Sequence, residues 1–290
     1  MNIDATQLHP HFAAEVRGLD MRRDLGPEPR RQVEALIDRY GVLVFRDQPS
    51  DDEAQLAFSA QFGPLQRSIT LHRPDAARRF KAETLSDISN VDAAGRALPP
   101  EDLKRRLQLA NLIWHTDNSF RSPAGKFTFL GARLLPPEGG DTEFADARAA
   151  YDALPETMKS RLRNARAMHS LARSRELVGA PPLSAEEAQN LPPTAQPVVR
   201  RHPSTDRLSL FLGSHASHLV GWPLEAGRAL IEELNAHITR PEFVYVHAWR
   251  SGDLVMWDNR STLHRARPFD EVRFKRDLRR TSIAEERPAT

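Results

Sequence analysis

The stretch Ile113-Trp114-His115-Thr116-Asp117-Asn118-Ser119-Phe120 discloses more than any other part of the chain. It reads as a strand, and side chains two residues apart on a strand share a face. His115 and Asp117 then converge on one point, while Trp114 and Thr116 face away. One further histidine would complete a set of two imidazoles and one carboxylate. Such a set covers one face of an octahedral metal and leaves the other positions open, a pattern suited to non-haem Fe(II) oxygen chemistry. The spacing alone proves little. With 11 His and 20 Asp in 290 residues, chance supplies roughly one His-x-Asp match. The plain alternative is a surface histidine beside a solvated aspartate, so the rest of the chain has to decide.

Composition narrows the field. Hydrophobic residues make up 40% and charged residues 28%, ordinary values for a globular chain long enough to bury a large core. The 41 basic residues against 39 acidic leave a net charge of +2. No global field therefore draws the chain to nucleic acid or to a membrane. The absence of cysteine excludes disulfides, thiolate metal sites and cysteine nucleophiles. No basic segment followed by an apolar run opens the chain, so no secretory signal is read. No stretch approaches the ~18 apolar residues of a membrane span. The expectation is a cytoplasmic enzyme formed as a single domain over residues 1–290.

Along the chain, Val33, Leu36, Ile37 and Tyr40 have helical spacing, and Gly41-Val42-Leu43-Val44-Phe45 reads as a buried strand. Ser50 before Asp51-Asp52-Glu53 signals a helix start, with the helix running to Phe62. Residues 66–108 look polar and irregular. Strands are expected at Phe127–Leu130, Thr142–Phe144 and Arg207–Gly213, and helices over 148–163 and 224–238. Residues 179–197, with five prolines, read as a long loop of the kind that forms lids. Phe243, Tyr245, His247 and Trp249 alternate with smaller residues, and Leu254–Trp257 returns after a turn. Many strands with a few helices predict a mainly β chain, a sandwich or jelly roll with flanking helices.

Two later segments bear on the chemistry. Trp257-Asp258-Asn259-Arg260-Ser261-Thr262-Leu263-His264 puts a histidine just after an apolar strand. Arg273-Phe274-Lys275-Arg276-Asp277-Leu278-Arg279-Arg280 alternates, so Arg276, Leu278 and Arg280 share one strand face. The competing reading of this segment is a basic edge strand guarded against aggregation. A nucleic-acid patch lacks an aromatic stacking set.

Together these blocks resemble the Fe(II)/2-oxoglutarate-dependent taurine dioxygenase/2,4-dichlorophenoxyacetate dioxygenase family. The likeness runs from Leu8-His9-Pro10 to Arg279-Arg280. It rests on Trp114-His115-Thr116-Asp117, Gly139-Gly140-Asp141-Thr142, Trp257-Asp258-Asn259 with His264 following, and the arginine-rich last strand. Leu8–Ala14, Val44-Phe45-Arg46-Asp47-Gln48, Gly213–His218 and Glu242–Tyr245 are similar to the phenoxyacetate branch in particular. The resemblance implies a double-stranded β-helix (a cupin-like jelly roll). It implies that His115, Asp117 and His264 hold Fe(II), and that Arg276, helped by Thr142, takes the distal carboxylate of 2-oxoglutarate. It further implies that Arg280 clamps the substrate anion and that His215 or His218 lies near the substrate. His9, His11, His169, His202, His237 and His247 are read as structural or surface residues, and Trp114 and Trp257 as sheet packing.

The reaction so implied uses O2 and converts 2-oxoglutarate to succinate and CO2. The carbon next to the ether oxygen of a phenoxyacetate-type acid is hydroxylated, and the product collapses to a phenol and glyoxylate. The partners are then a small anionic substrate and, as in related enzymes, further copies of the chain in a homo-oligomer. Segments 66–81 and 172–196 depart from the family pattern, which leaves the substrate open to taurine or other alkylsulfonates, alkyl sulfates and phenoxypropionates. A non-catalytic jelly-roll binding protein would have no use for a complete ligand set. A zinc hydrolase would leave Arg276 and Thr142 without a purpose.

Overall fold

Apolar runs without alternation, such as Val42–Phe45 and Leu254–Trp257, suit strands buried on both faces, and the chain folds around them. The computed structural model describes residues 3–49, 51–73 and 78–286. Its larger sheet has seven strands in the order β1 (Asp4–Gln7), β2 (Ala14–Arg17), β3 (Val42–Phe45), β13 (Leu254–Asp258), β5 (Gly125–Leu134), β15 (Asp277–Ala284) and β4 (Ser86–Ser89). Among the described residues only the β2–β3 pairing is parallel. A second sheet orders β12 (Val244–His247), β6 (Thr142–Asp146) and β14 (Thr262–Ala266), all antiparallel.

The two-residue period of the strands divides the core. Val42, Val44, Leu130, Val255, Trp257 and Leu278 of the large sheet pack against Phe144 and Tyr245 of the small one. Their neighbours Leu43, Phe45, Phe127, Phe129, Leu254 and Met256 point the other way, onto α1 (Pro27–Tyr40) and α2 (Asp52–Ala60). The outer face of the small sheet, through Ala145 and Leu263, packs on α4 (Ala147–Asp152) and α8 (Leu224–Ile238). The protein is thus mainly β, two facing sheets flanked by helices. The shorter elements are a three-stranded sheet with β7 (Arg166–His169) between β11 (Ala216–Leu219) and β8 (Thr194–Pro197), the pair β10 (Leu208–Leu210) and β9 (Val199–Arg201), and the helices α6 (Leu171–Leu177) and α7 (Ala185–Asn190).

Several expectations are corrected. Residues 113–120 form no regular strand: His115 makes a single antiparallel bridge to His264, and Asn118 turns the chain with φ 56°. Ser50 lies outside the described residues. The cap of α2 is Asp51, whose carboxylate accepts from the Glu53 and Ala54 amides, and the helix ends at Ala60. The single helix expected over 148–163 is two, α4 and α5 (Glu156–Leu162), because Pro155 disfavours helical geometry in the residue before it.

The loop read over 179–197 contains α7 and β8. Ser184 and Glu187 form a capping box that the surrounding prolines obscure in sequence. The segment read as irregular over 66–108 supplies β4 and α3 (Leu103–Gln108). Of the departing segment 66–81, residues 74–77 lie outside the described residues. The arginine-rich strand begins at Asp277 and is no edge, lying between β5 and β4.

Candidate metal centre and its cavities

His115 and His264 are brought together by main-chain pairing. The His115 amide donates to the His264 carbonyl at 3.0 Å and the His264 amide to the His115 carbonyl at 2.8 Å. The two rings lie with centroids 4.2 Å apart. Asp117 joins them: Oδ1 is 3.9 Å from His115 Nε2 and Oδ2 is 3.7 Å from His264 Nε2. All three residues are buried, and their ligand atoms lie within 4.8 Å of one another.

Neighbours orient His115 and Asp117, whereas the buried His264 Nδ1 has no hydrogen-bond partner among the described residues. His115 Nδ1 faces the Ile113 carbonyl at 2.8 Å, which makes it the protonated nitrogen and leaves Nε2 a lone pair. Asp117 Oδ2 accepts from the Thr128 hydroxyl at 2.9 Å, and Oδ1 from Arg280 Nη1 at 2.7 Å. Asn259 ties these supports together: its Oδ1 accepts from the Asp117 amide at 3.1 Å and from Trp257 Nε1 at 3.0 Å. Its Nδ2 donates to Thr128 at 2.9 Å. Trp257 therefore does more than pack.

Burial opposes ionisation of Asp117, but Arg280, His264, His115 and Thr128 outweigh it and hold the carboxyl well below its usual range. Burial pushes both histidines down; Asp117 opposes this and Arg280 adds to it, and the net direction is downward. Two neutral imidazoles and one carboxylate, all buried, are the protonation states a divalent metal needs.

Beside this group lies a cavity of about 350 Å³, its open mouth included, walled by Thr142, Trp257, His264, Arg276, Leu130 and Ile88 among others. Arg276 is buried, and its Nε and Nη2 have no hydrogen-bond partner among the described residues. Burial lowers its pKa to about 10, so it is still a cation at neutral pH. An unpaired buried guanidinium is costly, and a planar carboxylate is the partner that satisfies two of its donors at once. Gly140 holds φ 72°, a conformation that L side chains rarely adopt, and a Cβ on it would also crowd Arg276 Cδ and Nε at 3.2 Å.

A larger cavity, about 1180 Å³ with its open mouth, meets the centre from the other side. Ile69, Phe80, Leu85, Leu107, Phe120 and Leu171 make its apolar wall, and His115, Asp117, Arg280 and His215 its inner end. His215 is buried with its ring edge-on to His115 at 6.0 Å, and Nδ1 is 3.3 Å from Ser119 Oγ. Burial, then the neighbouring histidines, lowers its pKa to about 3. His218, the other candidate of the pair, lines neither cavity; its Nδ1 faces Ser217 Oγ at 2.9 Å. Asp38, His202 and Asp258 form a second close group. Arg260 donates to both Asp258 oxygens and sits 3.6 Å from Asp38, so its charge is already compensated within the protein.

Sequence reasoning missed Thr128 and Asn259. Asn259 stands in the quoted Trp257-Asp258-Asn259 block, which was a signal. A threonine inside a strand gave none.

The profile of the TauD family, described as taurine catabolism dioxygenase TauD, TfdA family, matches residues 4–282. The chain belongs to this family and is a 2-oxoglutarate-dependent dioxygenase, a class that uses Fe(II), 2-oxoglutarate and O2. It is 44% identical over 288 residues to the alpha-ketoglutarate-dependent 2,4-dichlorophenoxyacetate dioxygenase of Cupriavidus pinatubonensis, covering 99% of each chain. It is 33% identical over 276 residues to the (S)-phenoxypropionate/alpha-ketoglutarate-dioxygenase of Sphingobium herbicidovorans, covering 92% of this chain and 90% of that one. Among solved structures it superposes on AAD-2 in complex with Mn(II) and N-oxalylglycine, with a TM-score of 0.90 and 43% identity, over 100% of this chain and 99% of that one.

Proposed function

We propose that this protein hydroxylates the carbon next to the ether oxygen of a phenoxyacetate-type acid, so that the product collapses to a phenol and glyoxylate. The reading takes residues 1–290 as one cytoplasmic domain on a double-stranded β-helix, with no nucleic acid or membrane partner. His115, Asp117 and His264 hold the metal. Bound there with 2-oxoglutarate and O2, Fe(II) supplies the oxidising chemistry, and succinate and CO2 are the co-products.

The chain's own residues select and orient. Arg276 and Thr142 seat the distal carboxylate of 2-oxoglutarate in the smaller cavity. Arg280 takes the substrate carboxylate at the inner end of the larger one, and His215 stands beside the reacting end. Apolar side chains from Ile69 to Leu171 receive the ring and exclude water.

The observation that carries this reading is the composition of the larger cavity: apolar side chains lead to Arg280 beside the metal centre, while the lining cations Arg73, Arg79, Lys104 and Arg175 are each paired with Asp87 or Glu187. That is the shape of an aromatic ring joined to a short anionic arm. Family likeness to both phenoxyacetate and phenoxypropionate enzymes points the same way.

The test is oxygen uptake with Fe(II) and 2-oxoglutarate against phenoxyacetates, each enantiomer of phenoxypropionate, alkyl sulfates and alkylsulfonates. Phenoxyacetates should give the highest kcat/KM, with phenol released. Uptake driven by sulfates or sulfonates alone would overturn the substrate assignment. Arg280→Ala should raise the KM for the preferred acid by on the order of tenfold or more, since it removes a charge-assisted pair; an unchanged KM would remove Arg280 from the role.

A further inference from the structure

Thr142 begins β6 and is held in register from both sides, opposite His247 of β12 and Ala266 of β14. Its backbone is fixed, but a threonine still has to choose which branch, hydroxyl or methyl, faces the cavity. One contact bears on that choice. Trp249, two residues past the end of β12, donates from Nε1 to Thr142 Oγ1 at 3.0 Å. Trp249 is itself braced: its ring stands edge-on to His247 at 4.6 Å, and His247 Nε2 meets the buried Asp253 Oδ2 at 3.0 Å.

An indole nitrogen can only donate, whereas a hydroxyl has one hydrogen and two acceptor positions. Filling an acceptor position from Trp249 leaves the Thr142 hydrogen for something else. Among the described residues this hydroxyl donates to no group, and the side chain lines the same cavity as the unpaired Arg276 donors. We propose that Trp249 is a positioning residue for the cosubstrate: its N–H fixes Thr142 as a donor aimed at the distal carboxylate that Arg276 holds. This rests on the assignment of Arg276 and Thr142 above.

The experiment is anaerobic titration of the Fe(II)-loaded protein with 2-oxoglutarate, followed by the visible absorbance of the chelate and by calorimetry. Pyruvate, a 2-oxo acid without the distal carboxylate, is titrated in parallel. Trp249→Phe keeps the ring and removes the donor; 3-benzothienylalanine at 249 keeps the full bicyclic shape without an N–H. Both should raise the dissociation constant for 2-oxoglutarate roughly three- to tenfold, the usual worth of one hydrogen bond, and leave that for pyruvate unchanged. In a Thr142→Val background, Trp249→Phe should add nothing further.

Equal weakening of both ligands would mean that Trp249 merely packs, and full additivity with Thr142→Val would overturn the proposal as well. So would unaltered 2-oxoglutarate binding in both Trp249 variants while Arg276→Ala weakens it. If Arg276→Ala itself leaves 2-oxoglutarate binding unchanged, the failure lies in the cosubstrate assignment.

Discussion

Asp117 carries more of the centre than its place in a three-residue motif suggests. Its two oxygens are each engaged by the protein, by Arg280 and by Thr128, and its amide by Asn259. Only a carboxylate so tethered keeps one geometry in a cavity that must also admit two organic acids. Outer partners of this kind commonly change metal affinity 10- to 100-fold. Asn259→Ala removes the acceptor for Trp257 and the Asp117 amide, and the donor to Thr128, in one step. We expect about a tenfold or greater loss in Mn(II) affinity by titration, with the fold intact by circular dichroism; unchanged affinity would mean that Asp117 is held by other contacts alone.

The elements over the cavity are thin and depend on ionic ties. α6 and α7 are seven and six residues long, too short to be stable by themselves. They are joined through Glu187, whose oxygens accept from Arg175 at 2.6 and 2.8 Å and from Arg73 at 3.1 Å. Burial works against the Glu187 charge, but these arginines and the Ser184 amide prevail and hold its pKa below the usual value. Breaking a buried pair by removing one partner costs about 3 kcal/mol or more. Glu187→Gln should therefore speed amide exchange over 171–190 and weaken substrate retention, while metal affinity stays as it was. Protection factors equal to wild type across this segment would contradict the tie. The sign for pH follows from the lowered pKa. The Glu187 contribution is present above the ordinary glutamate range and is lost as pH falls through the folded value.

At the scale of the whole molecule, buried neutral histidine limits acid tolerance. His169 is fully buried, its ring stacked on Phe211 at 5.4 Å. Burial first, and Arg200 second, lower its pKa to about 3. Below pH 6.5 the unfolded chain takes a proton at this residue that the folded chain refuses, so stability falls as pH drops from 6.5 toward 3. At 1.36 kcal/mol per unit, the loss between pH 7 and pH 5 is roughly 2 kcal/mol from this one group. His169→Phe should flatten that part of the stability profile, read as urea midpoints at the two pH values. An identical drop in the variant would place the acid sensitivity elsewhere.

Local sequence was enough for α1, α8, β3 and β13, because helical spacing and unbroken apolar runs are properties of neighbouring residues. It was enough too for His115, Asp117 and His264 as candidates, since a ligand set is legible in residue types and order. It was not enough for the shape of the segment that carries two of them: His115–Asp117 is set by a bridge to residue 264 and by the Asn259 side chain, not by strand geometry of its own. The same holds for α7, whose capping box sits among prolines, and for β4, which is a strand only because β15 offers it an edge. Asn259 was marked by its motif but its partners were not, and Thr128 and Trp249 carried no mark at all, since nothing local distinguishes a hydroxyl or indole that has a tertiary partner from one that has none. Sequence by itself determined which groups the protein has for its chemistry. Only the tertiary structure decided which oxygens and nitrogens meet, because hydrogen bonds act over about 3 Å and pairs such as Asn259 with Asp117 and Trp249 with Thr142 are far apart along the chain.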